Sequence, residues 1–382
     1  MVLARPAKTC EAGRVKQRTI GITGSRGFLG SHLARRLRRP ALCPRAAWDD
    51  PTSLGTFVGR CDVVAHLAGV NRGVEQQVYD TNASLTDRLI QALQAGGNAP
   101  HVLFASSTQR DRPNAYGRSK KYGEDQLRRW AENTGGGLSI VVIPNVFGPG
   151  CRPFYNSVVA TFCHQLAHGE QPAVIDDQLL ELVWINDLVD EICATIDEPP
   201  AGVEERRIAG TAQVKVSELL CKLVSFRFSY FEANVVPDLS NPFDAQLYTT
   251  FLSHVALEDH CHRPRVHRDD RGQLFEILRL AGGGQVFCST TKPGVVRGNH
   301  FHTRKIEWFC VLRGEAVIRL RRVGEDDVRE FHVSGDSPQF ISIPALHTHQ
   351  IENVGNEDLL TMFWCNEIFE AADADTFYEQ VA

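Results

Sequence analysis

No Cys-x-x-Cys pair occurs among the 382 residues, and no run approaches the roughly 18 consecutive apolar residues that a membrane span needs. The 11 cysteines are odd in number and scattered from Cys10 to Cys365, which fits reduced thiols in a reducing, cytosolic compartment better than a disulfide framework. Residues 1–17 lack the apolar centre of a secretory signal and read as a polar, basic, disordered leader. A strong charge excess is also missing: 41 Lys and Arg against 46 Asp and Glu leave a formal charge of -5, which gives no global attraction to nucleic acid or to an anionic membrane. There is neither an internal repeat nor a low-complexity block to suggest a solenoid or a linker array.

What is present is a soluble, globular composition on a chain long enough for two domains. From "RTIGIT" to "LSIVVIPN", short Val- and Ile-rich runs alternate with helix-like stretches such as "NASLTDRLIQALQAG", where Leu85, Leu89 and Leu93 mark an apolar face. Strand alternating with helix predicts an α/β domain with a Rossmann-type parallel sheet over residues 18–258. Beyond about residue 260 the segments shorten and are punctuated by Gly and Pro, as in "GQVFCST", "EWFCVLRG" and "QFISIP", which predicts an all-β sandwich or barrel over 259–382.

In "TIGITGSRGFLGSHLARRL", Gly24, Gly27 and Gly30 fall between a strand and a helix, the place for a dinucleotide loop. Gly24 serves the tight turn, Gly27 leaves room for a pyrophosphate, and Gly30 lets helix and strand pack closely, while free helix N–H groups attract phosphate. The second strand ends in "ALCPRAAW", which supplies Arg45 and no carboxylate before Asp49; with Arg26 inside the loop, this favours the 2′-phosphate of NADPH over NADH. The structural alternative is a pair of solvated surface arginines.

"AYGRSK" sets Tyr116 and Lys120 four residues apart, on one face of a helix. A phenol is a poor acid or base near neutrality unless a neighbouring ammonium stabilises its phenolate, which Lys120 can do while also holding the nicotinamide ribose. Ser106, Ser107 and Thr108 supply hydroxyls at a strand end. With "TGSRGFLG", "HLAGVNR", "SST", "YGRSK", "PNVFGPG" and "WINDLVD" in order, the chain resembles the extended short-chain dehydrogenase/reductase family over residues 18–250. That resemblance implies hydride exchange with a nicotinamide, proton transfer through Tyr116, cofactor contacts from Phe28, Leu29, Leu67, Ala68 and Gly69 beside the three glycines, and nucleotide-activated sugars as substrates. The interval between Ser107 and Tyr116 is short for the family, so Ser107 and Thr108 compete for the hydroxyl role, with Ser107 favoured.

A second site lies in "GVVRGNHFHTRKIEWFCVLRG". Gly294, His300, His302, Glu307 and Gly314 fit the first motif of the cupin family, and His349 with Asn353 resembles the second. His300 and His302 are two apart and share a strand face. Three imidazoles and a carboxylate suit a divalent cation, Zn²⁺ first among several. Leu346 replaces the usual glycine before the second-motif histidine and Gly335 lies far from Pro344, which leaves His347 as an alternative to His349. "RGNHFH" also resembles metal-free deoxysugar epimerases, in which the histidine would be the general base, so His300 is a candidate for either role. His260, His262 and His267 read as a polar linker, and Arg297, Lys305 and Arg313 as exposed strand charges.

The order of a reductase followed by a cupin barrel is similar to a family of bifunctional capsule-synthesis enzymes. The likeness implies a homodimer acting on a UDP-activated 2-acetamido-2,6-dideoxy-4-ketohexose, with C3 epimerisation in the cupin and NADPH reduction at C4 in the reductase domain. The competing reading is an NAD-dependent epimerase or dehydratase whose cupin only binds a ligand.

Overall fold

A computed structural model of the chain describes residues 18–382 apart from 38, 97–98, 234, 263–265, 270–271, 276–280, 282–284 and 368–370. The leader 1–17 therefore lies outside the described residues. The chain divides into two compact units, one built from the part up to Val142 with Val189–Arg207, the other from Ile143–Leu188 with Ile208–Ala382.

The first half of the chain runs β1 (Ile20–Thr23), α1 (Phe28–Arg36), β2 (Ala41–Leu42), α2 (Pro51–Val58), β3 (Val63–His66), α3 (Glu75–Ala95), β4 (His101–Ser107), α4 (Ala115–Thr134) and β5 (Leu138–Ile143). It continues with β6 (Asn145–Phe147), α5 (Val158–Ala167), β7 (Leu179–Trp184), α6 (Ile185–Asp197), β8 (Val203–Arg207), β9 (Ala212–Lys215), α7 (Val216–Phe228) and α8 (Pro242–Leu252). In the first unit the described strands form one sheet in the order β2-β1-β3-β4-β5-β8. The pairs β1–β2, β1–β3, β3–β4 and β5–β8 run parallel, as the alternating pattern predicts. Both faces are covered, so β3, β4 and β5 are buried at every residue.

Strand order reverses at β1, whose neighbours are β2 on one side and β3 on the other. In such sheets the crevice at the carboxyl ends of the strands flanking the reversal is where a ligand binds. Helix α3 packs between α2 and α4 with Val78, Asn82, Thr86, Leu89, Ala92 and Leu93 turned inward. Leu85 is only half-buried, because the inward face carries the polar residues Asn82 and Thr86.

The remaining strands are β10 (Cys261–His262), β11 (Val266–Asp269), β12 (Gly272–Phe275), β13 (Gln285–Thr291), β14 (Val296–Phe301), β15 (Glu307–Arg313), β16 (Glu315–Arg322), β17 (Val328–Ser334), β18 (Phe340–Ile343), β19 (His347–Asn353), β20 (Leu359–Cys365) and β21 (Phe377–Tyr378). Among the described residues ten of them make two antiparallel sheets, β10-β18-β15-β20-β13 and β17-β16-β19-β14-β21. Phe309, Val311, Ile341 and Phe363 of the first sheet share one apolar core with Ile318, Leu320, Val333 and Ile351 of the second. The histidines of the joining segment are not a polar linker: His260 is fully buried and bonded to the Tyr230 hydroxyl at 2.5 Å, and His262 stacks on Trp308. The side chain of His267 lies outside the described residues.

Candidate functional site

The glycine loop leaves β1 at the point of reversal. Gly24 takes φ +72°, and a Cβ there would meet the Ala68 nitrogen at 2.6 Å. A Cβ on Gly30 would come within 2.2 Å of the Gly24 carbonyl oxygen, so helix α1 can pack this closely only without a side chain. At Gly27 an added Cβ would meet one atom within 4 Å, the Gly24 oxygen at 3.2 Å, which leaves that side open for a phosphate. Gly27 also caps α1 without a side-chain hydrogen bond, so the helix N-terminus is a ready anion site. Phe28 and Leu29 form its half-buried first turn.

Across the crevice, Thr23 at the end of β1 and His66 at the end of β3 are joined by a 2.8 Å hydrogen bond, and the Ala68 N–H donates to the same hydroxyl at 3.3 Å. Burial first, then the Lys120 charge, push His66 down to about 3, so the imidazole is neutral. Leu67 and Ala68 are half-buried and Gly69 is exposed; a Cβ on Gly69 would lie 3.8 Å from the Lys120 ammonium. Glycine loop, 67–69 loop and Lys120 thus meet at one place. These residues fit a dinucleotide: an open glycine turn, an uncapped helix end and a buried ammonium. Arg26 and Arg45 are both exposed, Arg45 opening the turn after β2, while Asp49 stands 3.9 Å from Arg88.

Lys120 is buried and donates to the Ala105 carbonyl at 2.7 Å. Desolvation lowers it to about 8, against a smaller opposing pull from Glu124. Its nitrogen lies 5.7 Å from the ring centre of half-buried Tyr116, one helical turn earlier. The short interval before Tyr116 is filled by a 3₁₀ turn, Thr108–Asp111, capped by the Ser107 hydroxyl, which accepts from Gln109 N–H at 3.1 Å. The turn packs onto the start of α4 because residue 117 is glycine; a Cβ there would meet the Gln109 oxygen at 2.2 Å. Ser106 points the other way, donating to buried Glu124, whereas Ser107 ends the strand and Thr108 is half-buried in the turn.

The sequence reading missed Asn82. Its Oδ1 accepts from Val70 N–H at 2.8 Å, and its Nδ2 donates to the Val70 carbonyl at 2.8 Å and to Ser119 at 2.9 Å. Ser119 in turn donates to the Tyr116 carbonyl at 2.7 Å. One side chain therefore ties the loop after β3 to the helix bearing Tyr116 and Lys120. A polar residue on the inward stripe of α3 was the available signal.

In the second unit His300, His302, Glu307 and His349 converge, with one nitrogen or oxygen from each lying within 4.8 Å of all the others. A bulge in β14 makes this possible. Gly298 takes φ +107° and Asn299 φ +59°, and the register shift sets His300 opposite His349, with ring centres 4.5 Å apart. A Cβ on Gly298 would meet the His349 carbonyl oxygen at 2.6 Å. Between His300 and His302, which lies just past the end of β14, Phe301 is buried and stacks on Phe377.

His302 donates Nδ1–H to the Asp375 carbonyl at 2.6 Å, since a carbonyl can only accept, and this leaves the Nε2 lone pair facing Glu307. Nε2 of His302 and of His349 stand 3.4 and 3.3 Å from the same Glu307 oxygen. Both nitrogens are buried without a hydrogen-bond partner among the described residues. Burial alone would raise Glu307, yet the two imidazoles beside it outweigh burial and hold the carboxyl well below its usual range. Buried imidazole nitrogens converging on one carboxylate fit a divalent cation. His302, Glu307 and His349 are buried, and His300 is half-exposed.

His349, not His347, joins the cluster; His347 lines a cavity of about 570 Å³ with Arg152, His164, His254 and Arg322. Leu346 adopts the φ of +60° that the replaced glycine would favour. Asn353 is structural, donating to the Thr291 and Glu357 carbonyls at 2.8 and 2.9 Å. Gly335 passes so close to Leu312 that a Cβ would meet its carbonyl oxygen at 2.6 Å. Arg297 and Arg313 are exposed, as expected, but Lys305 is buried and donates to the Ala374 carbonyl at 2.7 Å.

Residues 20–209 match the NAD dependent epimerase/dehydratase family, and residues 267–377 match the polysaccharide biosynthesis C-terminal domain. A UDP-2-acetamido-2,6-beta-L-arabino-hexul-4-ose reductase from Pseudomonas aeruginosa is 32% identical over 93% of this chain and 97% of its own length. The crystal structure of the capsular polysaccharide assembling protein CapF from Staphylococcus aureus superposes with a TM-score of 0.61 at 35% identity, covering 95% of this chain and all of that one. The chain belongs to the CapF family. It joins a nicotinamide-dependent epimerase/reductase domain to a β-rich domain, and it is an enzyme of the sugar-nucleotide reductase and epimerase class. A dTDP-4-dehydro-6-deoxy-D-allose reductase from Streptomyces bikiniensis, 24% identical, covers only 54% of the chain. No helix among the described residues is long and apolar enough to cross a membrane.

Proposed function

We propose that the chain converts a UDP-2-acetamido-2,6-dideoxy-4-ketohexose in two steps, C3 epimerisation in the β-rich, cupin-type domain of residues 259–382 and C4 reduction in the reductase domain of residues 18–258. The observation that carries the reading is the meeting of Tyr116, Lys120 and the 67–69 loop at the strand-order reversal, in a chain alike over nearly its whole length to a UDP-sugar 4-ketone reductase.

NADPH, when bound, supplies the hydride for C4, and a divalent cation, when bound, supplies Lewis acidity beside the enolate oxygen. The glycine loop and the N-terminus of α1 hold the pyrophosphate, and Arg26 and Arg45 favour the 2′-phosphate. Tyr116 gives its proton to the C4 oxygen, Lys120 stabilises the phenolate left behind, and Ser107 orients the ketone by hydrogen bonding. In the second domain His300 removes the C3 proton; it is the half-exposed member of the cluster, while buried His302, Glu307 and His349 hold the cation.

The order follows from the chemistry. A proton beside a ketone can leave because the enolate delocalises its charge, and that acidity disappears once the ketone is an alcohol. The product is UDP-2-acetamido-2,6-dideoxy-L-talose, a precursor of UDP-N-acetyl-L-fucosamine for capsule or O-antigen synthesis. Tyr116→Phe should cut NADPH oxidation about 10²- to 10⁴-fold, the usual worth of a positioned acid, and a loss under about tenfold would remove Tyr116 from the proton transfer. A His300→Ala enzyme that forms the same C3 configuration at the wild-type rate would remove His300 as the base.

A further inference from the structure

The cluster in the second unit is built from strands β14, β15 and β19, yet its supports come from further along the chain. Strand β21 pairs with β14 so that Tyr378 lies opposite His300 and Phe377 opposite Phe301. Glu379 donates its N–H to the carbonyl of Asn299, the residue of the bulge, at 2.9 Å. The hydroxyl of Thr348, the neighbour of His349, donates to the Glu379 carbonyl. Arg321, which faces Thr348 across the sheet, donates to the carbonyls of Val381 at 2.9 Å and Gln380 at 2.6 Å.

Asp375 holds the tightest knot. Its carboxylate accepts from the Thr303 N–H at 3.2 Å, the Thr303 hydroxyl at 2.6 Å, and the N–H groups of Arg304 and Lys305, each at 2.9 Å. Its carbonyl accepts from His302, as described above. The residue is 7% exposed and sits at φ +42°, a conformation that places carbonyl and carboxylate on the same loop from two sides.

We propose that residues 375–381 form a strap that positions the cation-binding side chains, with Asp375 as its positioning residue. The inference rests on the reading that the cluster holds a cation. Asp375 touches neither cation nor substrate. It anchors residues 303–305, which connect His302 to Glu307, and it fixes the His302 tautomer so that Nε2 keeps its lone pair for the cation. A carboxylate is required because both oxygens must accept. In Asp375→Asn the amide NH₂ would face either the two donors of Thr303 or the N–H groups of Arg304 and Lys305, and one side of the loop would lose its acceptor.

The test is cation binding by the full chain, measured with Zn²⁺ against a competing chelator and with Co²⁺ by its visible absorption. Wild type is expected to bind one equivalent. Asp375→Asn, checked for folding by circular dichroism, should bind about 10- to 100-fold more weakly, the usual effect of losing an outer-shell partner, with altered Co²⁺ bands. Thr303→Val, which removes one donor from the same carboxylate, provides the readout if the first variant does not fold and should weaken binding in the same direction. Asp373→Asn, which alters only a neighbouring pair with Arg304, should match wild type. Wild-type affinity and Co²⁺ spectrum in folded Asp375→Asn, or in Thr303→Val, would overturn the strap; no cation uptake by wild type would overturn the cation reading and the strap with it.

Discussion

Lys120 carries a burden that ordinary lysines do not. It is buried against Ala105 and Phe104 with its proton held at about 8, so its ammonium begins to disappear only slightly above neutral pH. In the proposed reduction Tyr116 depends on that charge. Below about 8 the ammonium is present and favours the phenolate, which makes the phenol a stronger acid toward the C4 oxygen; above it the assistance is lost. The kcat/KM for reduction, which reports the free enzyme, should therefore fall as pH rises through about 8. Lys120→Met should be slow at every pH and show no limb there. A wild-type profile flat to pH 10 would remove Lys120 as the group that tunes Tyr116.

At the scale of elements, α3 and α4 share an apolar core through Leu89, Leu93, Leu127 and Trp130, and a polar side chain adds a tie between them. Replacing Asn82 with Leu would keep the size and delete the bonds to Val70 and Ser119. Each buried backbone group left unpaired costs about 1–3 kcal/mol. The variant should unfold at a lower temperature and need more NADPH for saturation, while kcat changes less; an unchanged cofactor titration would show that the loop after β3 does not need this tie. The contrast between Asn82 and the glycine loop also shows what is legible in a sequence. Gly24, Gly27 and Gly30 act within one strand-turn-helix, Tyr116 and Lys120 within one helix, and His300, His302 and Glu307 within one short stretch, so their spacing, together with the family resemblance it carries, points to their chemistry. Asn82 acts on Ser119, 37 residues away, and His302 depends on Asp375, 73 residues away. A polar residue on the inward stripe of α3 marks Asn82 as unusual, but nothing local names its partner, and nothing local marks Asp375. The same limit applies to His260 and His262, which look like a polar run and are packed against Tyr230, Ser342 and Trp308, neighbours far away in the sequence.

For the whole molecule, the account rests on two different chemistries in one chain. Epimerisation alone reaches a mixture, because the enolate can take its proton back on either face. Reduction of one epimer withdraws it from that mixture and makes the outcome single. The division into a dinucleotide unit and a second unit with a His and Glu cluster therefore has a chemical rationale. Proton NMR in D₂O of the protein with a UDP-2-acetamido-2,6-dideoxy-4-ketohexose, first without and then with NADPH, tests this most directly. The account predicts deuterium entering C3 before NADPH is added and a single C4-reduced product afterwards. Prompt reduction with no deuterium at C3 would contradict it and leave a reductase whose second domain takes no part in the chemistry.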